Sequence, residues 1–215
     1  AGSILDHTII EFSQWGVGVD DDVAISNSVI RWITTTALVL FSNSTIYRNR
    51  IYQVGSCPIE VHYHAQPTIT YNTLWGSAQV SGIRVEAYAH PIIQHNIIRN
   101  NKESGIRITW SSSATVEYNL ITGNGVGIGI GQGGSAENSV IRYNNLYDNP
   151  SAELTVEPQE TLTATNNWWG TTDESAIEAK MGHDLGTTIV YKPYETSAVD
   201  IGNLTYDFEN NETYD

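Results

Sequence analysis

An asparagine flanked by aliphatic residues returns along this chain at a nearly fixed interval, and that interval restricts the fold more than any other feature. The pattern apolar-x-x-Asn-x-apolar is clear in IYRNRI (46–51), ITYNTL (69–74), IQHNII (93–98), VEYNLI (116–121) and IRYNNL (141–146). Weaker copies are AISNSV (24–29) and TATNNW (163–168), and ILDHTI (4–9) carries His7 in that place. The column reads Asn27, Asn49, Asn72, Asn96, Asn119, Asn144 and Asn166, with steps of 22, 23, 24, 23, 25 and 22 residues. A second pattern follows each Asn, a small residue and then apolar-x-apolar, as in GVGV (16–19), GIRV (82–85), GIRI (105–108) and GIGI (127–130). Asn101, Asn124 and Asn149 form a third column.

Segments this short cannot bury a face alone, so they must stack on their neighbours. No amphipathic run reaches the length a helical repeat needs, and the Leu spacing of a leucine-rich repeat is absent. Short Ile- and Val-rich runs separated by Asn and Gly fit a parallel β-helix with three strands per coil. Asn tolerates the left-handed backbone of a sharp turn. Pointing inward, its amide would bond backbone and the Asn of the next coil. Gly before the third strand is expected to supply a positive φ.

On these columns the chain resembles the right-handed parallel β-helix repeat proteins of the pectate-lyase-like superfamily, with its carbohydrate-binding, sugar-hydrolase and NosD-like repeat domains. The resemblance covers roughly residues 4–170, and NNWWGTTDESAIEAKM with GTTIVYKPY resembles a closing coil. It implies an all-β, right-handed parallel β-helix solenoid of about seven to eight coils, with a short C-terminal helical and strand cap. The expected organisation is a β-helix over 1–170, a cap over 171–194 and an acidic tail or linker over 195–215. Within the cap, 172–181 reads as a short helix capped by Thr172 or Asp173, and 187–191 as a last strand. No helix covers the first coil, so a longer solenoid or another chain is expected there, and self-assembly through coil ends is one reading of the whole.

Lys and Arg number 10 against 24 Asp and Glu, a formal net charge of −14. Such a surface repels phosphate backbones and anionic membranes, and no apolar run is long enough to span a bilayer, which argues against nucleic acid and membrane insertion. The single cysteine, Cys57, excludes an intrachain disulfide and a Cys-rich zinc site. Sequons stand at Asn43, Asn203 and Asn211. No signal-peptide pattern opens the sequence. An extracellular, cell-surface or periplasmic setting is the expectation.

In the third strand of each coil the residues between the apolar positions must face out. They form two columns: Gly18, Val39, Glu60, Arg84, Arg107, Gly129, Thr155, and Asp20, Phe41, His62, Glu86, Thr109, Gly131, Glu157. Tyr63, Tyr88 and Trp110 follow. The resemblance implies that a substrate groove, where there is one, lies along this sheet. Charged groups with flat apolar rings are what sugar recognition uses. Glu60, His62, Tyr63, Arg84, Glu86, Tyr88, Arg107 and Trp110 are therefore the candidate ligand-binding residues.

Catalytic sets are incomplete. Glu60 and Glu86, at about 8 Å, would suit an inverting hydrolase, but Arg84 should keep Glu60 ionised. Arg107 could act as the base of a lyase, yet no calcium-binding carboxylate cluster accompanies it. If the chain is an enzyme, a polysaccharide lyase or hydrolase, Arg107, Arg84, Glu60 and Glu86 carry the reaction. Otherwise it is an exported, non-catalytic surface, adhesive or structural module that binds polysaccharide. No cofactor is required. Asp20, Asp21 and Asp22 could hold calcium, and His62, His64 and His90 with Glu86 a transition metal.

Overall fold

Residues 3–131 and 133–202 are described by a computed structural model of the chain. Three parallel sheets stack into about eight turns of a solenoid. The first sheet contains Ile4–Asp6, Ala24–Ser26, Thr45–Tyr47, Thr68–Thr70, Ile92–Gln94, Thr115–Glu117, Val140–Arg142, Thr161–Thr163 and Thr188–Val190. The second contains Ile9–Glu11, Val29–Arg31, Arg50–Tyr52, Thr73–Trp75, Ile97–Arg99, Leu120–Thr122 and Asn145–Tyr147. The third contains Val17–Val19, Leu38–Leu40, Ile59–Val61, Ile83–Val85, Ser104–Ile108, Val126–Ile130, Ala152–Val156 and Met181–His183.

The three-residue strands follow from the pleat. In the first two sheets the middle residue points inward, so Ile46, Ile69, Ile93, Val116 and Ile141 form one fully buried stack and Ile51, Leu74, Ile98, Ile121 and Leu146 another. In the third sheet both flanking residues of the apolar-x-apolar run point inward, as Ile59 and Val61 do below Ile83 and Val85. Each such side chain contributes about 1.5–3 kcal/mol when fully buried.

The asparagine ladder is continuous from Asn49 to Asn167. Each Oδ1 accepts both the backbone N–H and the Nδ2–H of the preceding coil's Asn, as in Asn72 to Asn96 at 2.9 and 3.0 Å and Asn96 to Asn119 at 2.9 and 3.0 Å. Each Nδ2 also donates to a backbone carbonyl one coil back, for example Asn96 to Ile69 O at 2.9 Å. Two positions of the sequence column are corrected. Asn27 is exposed and its amide donates to Asp6, while Ser28 fills the rung: its N–H donates to Asn49 and its Oγ accepts from Thr8 N. At the other end Asn167, not Asn166, accepts from Asn144.

The same geometry corrects the role assigned to the left-handed turn. That conformation belongs to the residue before the ladder: Arg48 (φ 54), Tyr71 (59), His95 (56), Tyr118 (55), Tyr143 (56) and Asn166 (57). Positive φ is unfavourable for these side chains, and the two bonds that the following Asn receives and the two or more it gives offset the strain. The glycine expectation is corrected too. Gly82, Gly105 and Gly127 are not at positive φ. They are small because a Cβ on Gly105 would lie 2.6 Å from Ile121 Cγ2 and 2.7 Å from Gly127 O.

A second ladder runs Asn101, Asn124, Asn149 and ends on the carboxylate of Glu153, which accepts from both the backbone N–H and the side-chain amide of Asn149. The cap contains helix α1 (Glu174–Glu178), whose N-terminus is closed by Asp173 accepting from Ser175 N and Ala176 N, and whose Ile177 plugs the core. Residues after the cap turn back along the outside. Glu195 N donates to Asn167 O, Val199 exchanges two bonds with the Asn145 side chain at 2.8 and 2.9 Å, and Ile201 O meets His95 Nδ1 at 2.7 Å. The remainder of the expected acidic tail, with the sequons at Asn203 and Asn211, lies outside the described residues.

Candidate functional site

The third sheet places Glu60, Arg84 and Arg107 directly above one another, with Val39 before and Gly129 and Thr155 after. Outward alternation brings His62 and Glu86 to the neighbouring column. Four of these side chains form one cluster. His62 Nε2 stands 3.3 Å from Glu60 and its Nδ1 3.2 Å from Glu86. Arg84 reaches Glu86 at 3.0 Å and Glu60 at 3.7 Å. Thr36 donates to Glu60 at 3.0 Å.

The cluster is half-sunk in the wall. Only 12% of each glutamate side chain, 15% of His62 and 32% of Arg84 is exposed, and the Arg84 Nε has no partner. Burial pushes the Glu60 carboxyl up. The hydrogen bond from His62, the Arg84 charge and the Thr36 hydroxyl outweigh it and hold Glu60 below the usual carboxylate range. Burial opposes the charge on Arg84, but Glu60 and Glu86 raise its pKa further. The two carboxylates bridged by one imidazole and one guanidinium replace the open Glu–Glu pair that the spacing suggested. Beneath them, Cys57 is buried, donates to Ile59 O and Ser81 O, and is held protonated by that burial.

Arg107 lies apart. Its guanidinium runs over Gly129 and Gly131 and meets Glu157 at 2.8 Å, two coils further on. A side chain at Gly131 would collide with it, since a Cβ there would sit 2.1 Å from Arg107 Nη2. The glycine pair is thus a track for the arginine, a feature the alternation rule alone does not give.

Aromatic side chains crowd the turn beside the cluster. Tyr63, Tyr88 and Trp110 are 67%, 54% and 56% exposed, so a large part of each ring faces solvent. Two consecutive residues in each turn are left-handed: Tyr63 and His64, Ala87 and Tyr88, Trp110 and Ser111. His64 N donates to Ala87 O and Tyr88 N to Trp110 O, so Tyr63 shares a column with Ala87 and Trp110, and His64 shares the next with Tyr88. His64 and Tyr88 stack at 5.1 Å, and Tyr63 stacks on Phe41 at 5.7 Å.

The candidate metal ligands do not converge. His62 is engaged by Glu60 and Glu86, His64 lies against Tyr88, and His90 Nδ1 is bonded to Ser113. Asp22 accepts from Asn43 N. Among the described residues, no three His, Cys, Asp or Glu side chains group as a metal site would require.

The second sheet carries an outward group that sequence reading passed over. Glu11, Arg31, Tyr52, Trp75 and Arg99 are stacked in register. Tyr52 and Trp75 stack at 4.1 Å with planes 5° apart, Arg31 covers Trp32 at 4.0 Å, and Arg50 lies 5.6 Å from both the Tyr52 and Trp75 rings. The signal available in the sequence was the recurrence of Arg or an aromatic three residues after the ladder position, at Arg31, Tyr52, Trp75 and Arg99.

A family profile described as "Right handed beta helix region" matches residues 2–138. No curated protein matches the chain significantly. Among solved structures, one titled "The complex structure of XylC with xylose" superposes with a TM-score of 0.57 at 12% identity. The match covers 85% of this chain and 37% of that one, so the present chain spans well under half of its length. At that identity the likeness concerns the fold.

Proposed function

Since the chain belongs to the right-handed β-helix family, whose repeat lays one side chain per coil on a continuous outer wall, we propose that it is a non-catalytic, polysaccharide-binding module displayed outside the cell. The observation that carries this reading is the exposure of the Tyr63, Trp110 and Tyr88 rings in two adjacent columns at the margin of the third sheet. Coils repeat at about 4.8 Å, so Tyr63 and Trp110, two coils apart, offer successive platforms to one extended chain of sugar rings. Stacking on such faces, with hydrogen bonds from the rim, is the usual chemistry of pyranose recognition.

The buried cluster supports binding over catalysis. Glu60 is held ionised and cannot serve as a general acid, and Arg84 has its charge balanced by two carboxylates. Arg107 is occupied by Glu157. With those cations neutralised within the wall, neutral or weakly charged glycans suit the face better than densely anionic ones. XylC, solved with xylose, shares the architecture, but the proposal stands on this chain's own rings.

The test is a panel of neutral and uronate polysaccharides followed by tryptophan fluorescence and affinity electrophoresis. Trp110→Ala and Tyr63→Ala should each weaken binding about tenfold, equivalent to about 1.4 kcal/mol, while leaving the melting temperature in place. A wild-type chain that binds no member of the panel ends the proposal. New reducing ends or unsaturated products that vanish in Arg107→Ala would replace it with an enzymatic one.

A further inference from the structure

Backbone bonds from His64 N to Ala87 O, Tyr88 N to Trp110 O and Ser111 N to Gly133 O align Tyr63, Ala87, Trp110 and Gly133 in one column of successive coils. All four have a left-handed backbone, with φ of 51, 57, 50 and 75°. Size alternates along the column: a ring, a methyl group, a ring, a hydrogen. The backbone does not impose that alternation, since the same turn carries tyrosine at 63 and tryptophan at 110. Ala87 thus marks a place where a ring would be tolerated and is missing.

The gap has a ring on either side. Phe41, from the coil before, stacks on one face of Tyr63 at 5.7 Å, so the opposite face lies on the side of the Ala87 coil. Among the described residues no ring stacks on Trp110, and Tyr88, the neighbour of Ala87, is drawn onto His64 in the adjacent column at 5.1 Å. A large part of the Tyr63 and Trp110 rings faces solvent. Two coils at about 4.8 Å set the backbones of Tyr63 and Trp110 about 9.6 Å apart. Carbon atoms in contact lie about 3.5–4.0 Å from one another, so a flat ring held between two others fills only about 7–8 Å. A puckered, saturated ring with hydrogens on both faces is thicker and fits the wider space. Sugar rings have this form, and their C–H faces suit aromatic walls. The charged groups beside the column, Glu60, Arg84 and Glu86, are paired with one another, which favours a neutral occupant.

We propose that the space over Ala87 is a slot that takes one neutral pyranose ring between Tyr63 and Trp110, and that Ala87 keeps it open. The slot rests on the reading of the third sheet as a glycan-binding face and sharpens it: the two rings act on opposite faces of one sugar unit. Ala87, with no polar group of its own, becomes the position that decides whether a sugar is admitted.

Titration of the full chain with cellotetraose and with xylotetraose, both neutral, tests this. Ala87→Tyr fills the slot and should lower affinity by about tenfold or more, whereas a row of separate platforms would gain a member and bind more tightly. Ala87→Gly leaves the slot empty and should bind as the wild type does. Melting temperatures of both variants show whether the turn is intact. A second measurement needs no variant: in the wild-type complex, intermolecular NOEs from a single sugar unit should reach both the Tyr63 ring and the Trp110 indole. Affinity kept or gained in Ala87→Tyr, or NOEs that reach the two rings from different sugar units, overturns the slot and leaves the glycan-binding face standing. A wild-type chain that binds neither tetrasaccharide also overturns the slot, and the face with it if the polysaccharide panel fails too.

Discussion

At the scale of single residues, the repeat divides asparagines that look alike in sequence. Asn96 is fully buried, and its amide satisfies donors from Asn72 and acceptors at Ile69, Gln94 and Asn119. Truncation strands several of these at once, and each buried unpaired group costs about 1–3 kcal/mol. Asn96→Ala should therefore destabilise by about 3 kcal/mol in a denaturant titration, whereas Asn27→Ala should change stability by less than about 0.5 kcal/mol. What Asn27 does is local: with Ser26 and His7 it hydrogen-bonds Asp6 and holds that carboxyl down at about 2. The interior of the column was legible because aliphatic residues bracket each Asn at constant spacing. Its ends were not. Ser28 performs the same backbone bond with a hydroxyl, and in TNNW two adjacent asparagines compete for one rung. The preference of Asn for left-handed backbone also misled, because here the stacked rings of Tyr71, His95, Tyr118 and Tyr143 occupy those turns.

Elements in this molecule are only three to five residues long, so their stability is a matter of what the adjacent coil allows. Gly105→Ala would force a methyl group against Ile121 and the Gly127 carbonyl, and such overpacking costs about 1–3 kcal/mol. Gly18→Ala, with nothing within 4 Å of the new methyl, should be neutral by the same thermal melt. Glu153 supplies a pH signature. Burial raises its pKa, only partly opposed by the Asn149 hydrogen bonds and the Lys180 charge. The folded state thus holds this proton more tightly than the unfolded chain. Its contribution is complete below the ordinary carboxylate pKa and is lost as pH rises through the elevated value. Glu153→Gln should remove that decline, seen as a flatter dependence of melting temperature on pH, and should match or exceed wild-type stability at neutral pH. Parallel strands with alternating apolar positions were plain in the sequence, as was a capping helix, read over 172–181 behind Thr172 or Asp173 and observed over Glu174–Glu178 behind Asp173. The phase of the aromatic row was not, because the double left-handed turn after His62 sets Tyr88 one position away from Tyr63 and Trp110.

On the scale of the whole molecule, both ladders have a direction. From Asn49 through Asn144 and from Asn101 through Asn124, each side-chain amide gives one N–H to the Asn of the coil that follows, and its Oδ1 receives from the coil before. The dipoles therefore add, leaving partial positive charge toward the C-terminal end, and the carboxylate of Glu153 stands at that end of the shorter column. An arrow of this kind makes the rod extensible by arithmetic. A duplicated coil inserted in the same sense inherits a giver below and a taker above, so gene-level lengthening by whole repeats preserves the interior, while a coil spliced in backwards sets like against like and cannot be seated.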